Sequence, residues 1–281
     1  KSRALTFRAD VVSYDKRSER MEKREKIEHL AGSRDEEILL ARVYDRMTAA
    51  QQQNIPASTC FLTKREQLLA GQLLPELTLT FFGGAEACER AVCCWLPDYL
   101  DESWLSSGDG PVAAVRAEFY AQDTLSHRDF LGSLMGSGIK RETVGDIFAG
   151  EGSCDFFVTR EILPYVLQNL ESAGRTKLRL REIALSEVSL PQAQLKTIRD
   201  TVSSLRLDGV VSSGFGLSRG KAAAAVESGK LELNDLPCVK PDKPVAEGDV
   251  ISIRGLGKIR LESVAGTTKK GRISIVISRF V

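Results

Sequence analysis

The sequence predicts an α+β protein in three parts: an N-terminal helical region over residues 1–74, a middle α+β domain of sheet and helices over 75–190, and a C-terminal domain over 195–281. The last part reads as two helices and a small sheet ending in a hairpin. Three observations carry this. Charged, glycine-poor sequence with helical spacing fills the first part, strand and helix signals alternate through the second, and short β-branched runs separated by glycine turns close the chain. At about 150 residues per domain, 281 residues suggest two domains, or three small ones.

From Lys16 to about Ala50, Ile27, Leu30, Ile38, Leu39, Val43 and Met47 recur at helical spacings, with a break near Gly32-Ser33. Ser33 followed by Glu36 has the form of a capping box, in which hydroxyl and carboxylate satisfy free amides at a helix start, and Thr63 with Glu66 repeats it before a helix over Thr63–Leu73. The alternating charges of Asp15 to Glu28 read as a solvated helical face. Pro75 ends this region, and Leu77–Phe82 alternates apolar and polar residues like a strand, closed by Gly83-Gly84. A helix is expected over Ala85–Trp95, with Cys88, Cys93 and Cys94 packing as small hydrophobes. After a Ser-, Gly- and Pro-rich loop at 103–111 come a strand (Val112–Tyr120), a helix (His127–Ser137), a strand (Ser153–Val158), a helix (Arg160–Ala173) and a strand (Arg179–Val188). A split βαβ arrangement is one option for such alternation. The C-terminal part reads as a helix over Leu195–Val211, a turn at Ser212–Gly216, and a second helix opened by Ser218 and stopped at Gly229. Strands follow at Leu231–Leu233, Val250–Arg254, Lys258–Val264 and Ile273–Ile277, with Thr267–Gly271 as the last hairpin loop.

No apolar run approaches the roughly 18 residues that span a bilayer, so membrane insertion is excluded. Six cysteines without a C-x-x-C pair, and only His29 and His127 in the chain, offer no metal cage and no Cys–His nucleophile; they suit a reducing compartment. Neither metal nor cofactor nor small-molecule substrate is expected. The chain starts at Lys1 rather than Met, so an initiating segment is expected to have been processed off or to lie outside this sequence, and a targeting peptide stays open.

The formal charge of +1 hides a division. Residues 206–281 hold 13 Lys and Arg against 8 Asp and Glu, while residues 1–205 hold 26 against 30. Such asymmetry points to a nucleic-acid or membrane-surface module. The basic part contains Arg206-Leu207-Asp208, then Ser218-Arg219-Gly220-Lys221-Ala222, then Gly229-Lys230-Leu231-Glu232-Leu233-Asn234, then Gly248-Asp249-Val250-Ile251. Ser218 is placed to cap the second helix, so its free amides, Arg219 and Lys221 gather at one positive helix end, which attracts phosphate. Arg206 extends that surface, and Asp208 is suited to orient a basic partner. Lys230, Lys240, Lys243, Arg254 and Lys258 add charge along the turns and strands. A surface of this kind holds a nucleic-acid backbone by charge and shape.

These motifs, in this order and spacing, resemble the ribosomal protein S4-type RNA-binding domain (S4 domain) over about Leu205 to Arg254. The resemblance implies that Arg206, Ser218, Arg219 and Lys221 lie on the RNA face. Gly220 and the alanines at 222–225 depart from the larger residues common there and are expected to pack. The S4 domains of tyrosyl-tRNA synthetases, pseudouridine synthases and haemolysin-type methyltransferases accompany catalytic motifs that this sequence lacks. Upstream, Phe81-Phe82-Gly83-Gly84-Ala85-Glu86 with Glu89-Arg90, and His127 through Glu142 leading to Gly145-Asp146-Ile147, look like the YlmH family, a resemblance spanning about Thr63 to Val281. It implies a non-enzymatic protein that docks on ribosomal RNA and tRNA of the large ribosomal subunit in ribosome-associated quality control, with the middle domain supplying further contacts. Relatives in cyanobacteria and plastids are called photosystem II S4 domain proteins, which implies the chloroplast stroma, with the bacterial cytoplasm as the alternative, and a role in photosystem II assembly or repair as a second reading. A third is an RNA-modifying enzyme that uses the S4 domain as a substrate clamp.

The enzyme reading would rest on His127-Arg128-Asp129, but adjacent helical residues point in different directions and form no relay. Gly83-Gly84, and Gly136-Ser137-Gly138 with Lys140 and Arg141, could cradle phosphate without matching a nucleotide-hydrolysis loop. Arg90, Arg128, Lys140 and Arg141 are the candidates for a second RNA contact.

Overall fold

Ser33 and Thr63 start helices as their sequence signatures require. In the computed structural model, which describes residues 21–86, 88–190, 195–268 and 271–280, helix α1 (residues 21–30) stops before Gly32 and α2 (Arg34–Gln53) begins after Ser33. The Ser33 hydroxyl accepts from the Glu36 amide, and the Glu36 carboxylate accepts from Gly32 N at 2.7 Å and from Arg65 at 2.6 Å. Helix α3 (Lys64–Leu73) carries the full Thr63/Glu66 box. The charged run that begins at Asp15, and Lys269 and Lys270 of the last hairpin loop, lie wholly or partly outside the described residues.

The chain divides into two units, Lys1–Pro191 and Gln192–Val281. In the first, β1 (Ala57–Leu62), β2 (Leu79–Phe82) and β3 (Ala91–Trp95) form a sheet in the order β1-β3-β2. Two corrections follow. This sheet straddles residue 74, because β1 comes from the stretch read as helical. And the helix expected over Ala85–Trp95 is strand β3, whose Ala91-Val92-Cys93-Cys94 run is buried on both sides. Cys93 faces a core with α2 and α3, while Val92 and Cys94 face another with Phe61 and Phe157. An apolar run covered on both faces shows no period of two, so periodicity cannot separate it from helix.

The remainder of this unit is β4 (Val112–Glu118), α4 (His127–Gly136), β5 (Val144–Ala149), β6 (Ser153–Thr159), α5 (Leu163–Asn169), the small hairpin β7 (Ser172–Ala173) and β8 (Thr176–Lys177), and β9 (Arg179–Ile183). The antiparallel order β5-β6-β4-β9 with two crossover helices is the split βαβ arrangement. Phe130, Leu134, Leu163 and Val166 of the helices pack on Val115, Ala117, Phe156 and Val158, all buried. The helix expected over Arg160–Ala173 shortens to α5 because Pro164 sits in its first turn and Leu170 leaves the helical region of backbone.

In the second unit, β10 (Leu195–Val202) replaces the first half of the helix expected over Leu195–Val211. Leu195, Ile198 and Val202 satisfy helical spacing, but the segment pairs along its whole length with β15 (Ile273–Phe280). Tertiary pairing overrides the local period here. Helices α6 (Leu207–Phe215) and α7 (Arg219–Glu227) turn about Gly216 at φ 66°. The sheet order is β10-β15-β14-β13-β11-β12, with β11 (Leu231–Leu233), β12 (Leu236–Pro237), β13 (Val250–Ile253) and β14 (Gly257–Thr267). Val210, Val211, Phe215, Ala222 and Val226 of the helices bury against Ile251, Ile259, Leu261, Ile275 and Ile277. Each of these side chains other than Ala222 stabilises by about 1.5–3 kcal/mol relative to exposure. No helix among the described residues is long and apolar enough to cross a membrane.

Candidate nucleic-acid interface

The start of α6 is held by backbone bonds to a basic loop. Leu207 N donates to Lys243 O and Asp208 N to Pro241 O, both at 2.9 Å, and Arg206 bridges to Pro244. The loop carrying Lys240 and Lys243 is thereby fixed beside Arg206. Asp208 is buried, 4% exposed, and accepts from Arg206 Nε at 3.2 Å and Nη2 at 3.3 Å, and from Arg219 Nε at 3.4 Å. Burial pushes its carboxyl up, but the two guanidinium groups overcome this and hold it below the usual carboxylate range. The same bond raises Arg206 above its ordinary value. One buried anion thus holds two cations, with side chains 42% and 57% exposed, at the surface.

Arg219 opens α7, whose cap is Ser218: the hydroxyl accepts from Lys221 N at 3.4 Å. The Ser218 oxygen is therefore engaged with the helix, and the Arg219 and Lys221 side chains are exposed. Arg206, Ser218, Arg219, Lys221 and Lys240 form one cluster at this helix end. Lys230, Arg254 and Lys258 form another. Arg254 N donates to Lys230 O, and Lys258 pairs with Ser252 across the β13–β14 hairpin. Helix α7 carries the chain about 12 Å from Arg219 to its last residue, Glu227, before Lys230, at about 1.5 Å per residue. The motif residues Asn234 and Asp249 are structural: Asn234 Nδ2 donates to Asp249 at 2.8 Å and Val250 N to Asn234 Oδ1 at 2.9 Å, tying two turns together. Of the positions expected to pack, Ala222 does, whereas Gly220 and Ala224 face solvent. They lie on the outer side of α7, away from the sheet.

In the first unit, Arg128 and Lys140 are exposed. Arg90 and Arg141 are committed inward. Arg90 donates to Phe61 O at 2.8 Å and Val144 O at 3.2 Å, Arg141 donates to Val144 O, and burial lowers both pKa values. Beside them Asp146, pushed up by burial, accepts from Glu89 N. These groups join β1, β3 and β5, and their guanidinium bonds go to protein carbonyls. Gly83 and Gly84 offer no phosphate cradle, since both are buried and a Cβ there would lie 2.5 Å from Cys88 or Phe157. Asp129 accepts from Ser126 N and Oγ as a helix cap, which engages the carboxylate that a His127 relay would need. The expected strand from Arg179 also hid a longer alternation, Arg175, Lys177, Arg179, Arg181, whose period of two was visible in the sequence.

A family model described as "Putative RNA-binding domain in YlmH" matches residues 118–187. The chain is 32% identical over 250 residues to the ribosome-associated protein quality control protein P2 of Bacillus subtilis (strain 168), an alignment covering 88% of this chain and 96% of that protein. Among solved structures it is similar to the cell division protein ylmH from Streptococcus pneumoniae, with 18% identity and a TM-score of 0.47 over 56% of this chain and 96% of that one.

Proposed function

The chain belongs to the YlmH family, and from that premise we propose that it is an RNA-binding, ribosome-associated protein acting in quality control, docking through an S4-type C-terminal domain on ribosomal RNA and tRNA of the large subunit. The observation that carries the docking surface is the pair Arg206 and Arg219 held by buried Asp208 beside the α7 N-terminus, Lys221 and Lys240. Guanidiniums held in place before binding lose less freedom when they meet phosphate. The contacts are to backbone phosphates, and the role is non-enzymatic.

Reversing charge at two exposed positions, Arg219→Glu with Lys221→Glu, is expected to abolish co-sedimentation with ribosomes while the chain stays folded, its unfolding temperature lowered only by the lost Arg219–Asp208 bond. Binding by the parent chain should weaken steeply as salt rises. Undiminished co-sedimentation of the double variant would sink the assignment.

A further inference from the structure

The domain that contains residues 118–187 has the four-stranded sheet with two helices on one face on which many RNA-binding modules are built. Such modules stack bases on aromatic side chains of the sheet's central strands. Here β4 and β6 are central, and their register places Ala114 opposite Phe157, Arg116 opposite Asp155 and Glu118 opposite Ser153 on the face away from the helices.

Most of that face is closed by the chain itself. Phe157 is 0% exposed and packs with Phe61, Val92 and Cys94 of the three-stranded sheet. The approach is tight enough that Gly84, at φ 99°, has no room for a Cβ, and one at Gly145 would lie 2.8 Å from the Phe61 ring. The next rung is the Arg116–Asp155 pair, with Nε–Oδ1 at 2.7 Å and Nη2–Oδ2 at 2.6 Å. Arg116 also donates to Glu187 O at 2.8 Å, and Ser189 N donates to Asp155 at 2.7 Å, so the segment after β9 lies over this rung. A base has no entry to the centre of the sheet.

The last rung is open. Glu118 pairs there with Arg179 of the edge strand, and two residues beyond Glu118 stands Tyr120, 75% exposed. Along the β7–β8 hairpin and the edge strand β9 that follows it, Arg175, Lys177, Arg179 and Arg181 are exposed while Leu178 and Leu180 pack on the helix-covered core. Arg179 and Arg181 lie on β9, about 6.7 Å apart, while Lys177 ends β8 and Arg175 sits in the β7–β8 turn. Arg181 is neutralised by Glu118 and Glu187. Arg175, Lys177 and Arg179 make no ion pair or side-chain hydrogen bond among the described residues.

We propose that this domain binds a single RNA strand at the uncovered end of its sheet, Tyr120 stacking on a base while Arg175, Lys177 and Arg179 hold consecutive phosphates. The inference rests on the reading of the chain as an RNA binder but assigns a surface separate from the Arg206–Arg219 cluster. Charge complementarity and an exposed aromatic ring beside the cations select RNA over an acidic protein segment, because bases offer a stacking face.

The test uses the full chain with two probes, purified ribosomes and a fluorescent mixed-sequence RNA of about twelve nucleotides. Arg175→Gln, Lys177→Gln and Arg179→Gln together are expected to weaken RNA binding at least tenfold and to lower the salt slope by about two, at roughly 0.7 per phosphate contact on a single strand. Tyr120→Ala is expected to weaken it about tenfold with the slope unchanged, and Tyr120→Phe to restore it. Parent-like RNA binding by both the triple variant and Tyr120→Ala would overturn the inference, as would loss of ribosome binding with RNA binding intact, which would identify a protein partner. Arg219→Glu with Lys221→Glu is measured in parallel. If that pair alone lowers binding, this inference fails and the docking reading stands; if the triple variant alone lowers it, the reverse holds.

Discussion

Asp208→Asn separates two explanations of the basic cluster, because they predict opposite signs. The substitution keeps the shape of a side chain that is 4% exposed but removes the charge that Arg206 and Arg219 share. If net charge alone governed RNA binding, losing an anion would tighten it. One unit charge about 7 Å from a phosphate in a water-like medium is worth about 0.6 kcal/mol, or roughly threefold. If holding the guanidiniums in place matters, binding weakens, since immobilising a rotamer-rich side chain on binding costs about 0.5–1.5 kcal/mol. With two side chains released and the charge gain subtracted, the expected result is about two- to sixtyfold weaker binding. The assay is titration of ribosomes or labelled ribosomal RNA with each form at one fixed salt concentration. Tighter binding by Asp208→Asn would refute the preorganisation argument.

The same variant should unfold more easily by about 1 kcal/mol, the contribution of charge-assisted hydrogen bonds reduced by solvent screening of the exposed arginines. Because the folded carboxyl titrates below its unfolded value near 3.9, this contribution is present above that pH and lost as pH falls through the folded value. Asp208→Asn should therefore narrow its deficit as the solution is acidified below about pH 4, measured by urea unfolding. Arg116→Ala should destabilise the first unit by about 2–4 kcal/mol, because it leaves Asp155, 2% exposed, without its guanidinium; a loss under about 1 kcal/mol in urea unfolding would mean that water replaces it. Burial pushes the Cys88 and Cys93 thiols up to about 12 and raises that of Cys60 as well, but only Cys60 is partly exposed, so alkylation of the folded chain near pH 8 should label Cys60 well before either. Fast labelling of Cys93 would show that the three-stranded sheet opens.

Local signals were legible where one short stretch of chain settles the geometry. Thr63 with Glu66 and Ser218 before Arg219 mark helix starts because the satisfied amides lie within three residues. Asp208 could be assigned to orient a basic partner because Arg206 is two positions away, although its hold on Arg219 depends on the packing of α6 against α7. The errors fell on segments whose character is decided by distant partners. Leu195–Val202 and Ala91–Trp95 carry spacings that fit a helix, and each is a strand because another strand lies beside it.

The sequence by itself determined the α+β class, the helix caps, the basic C-terminal part and the family resemblance, all of which rest on residue type and short spacing. Only the tertiary structure decided which cations are available. Arg90 and Arg141 look like Arg219 in sequence, yet their guanidiniums satisfy carbonyls between strands, where an unpaired polar group would be costly. Phe157 could have stacked on a base but lies under Phe61 and Gly84, whereas Tyr120 and the cations that make no ion pair among the described residues stand at or beyond the other end of the sheet. Availability depends on what folds over a side chain, and for Arg90 and Phe157 those covering residues come from distant parts of the chain, Phe61 lying nearly a hundred positions before Phe157, beyond the reach of local spacing.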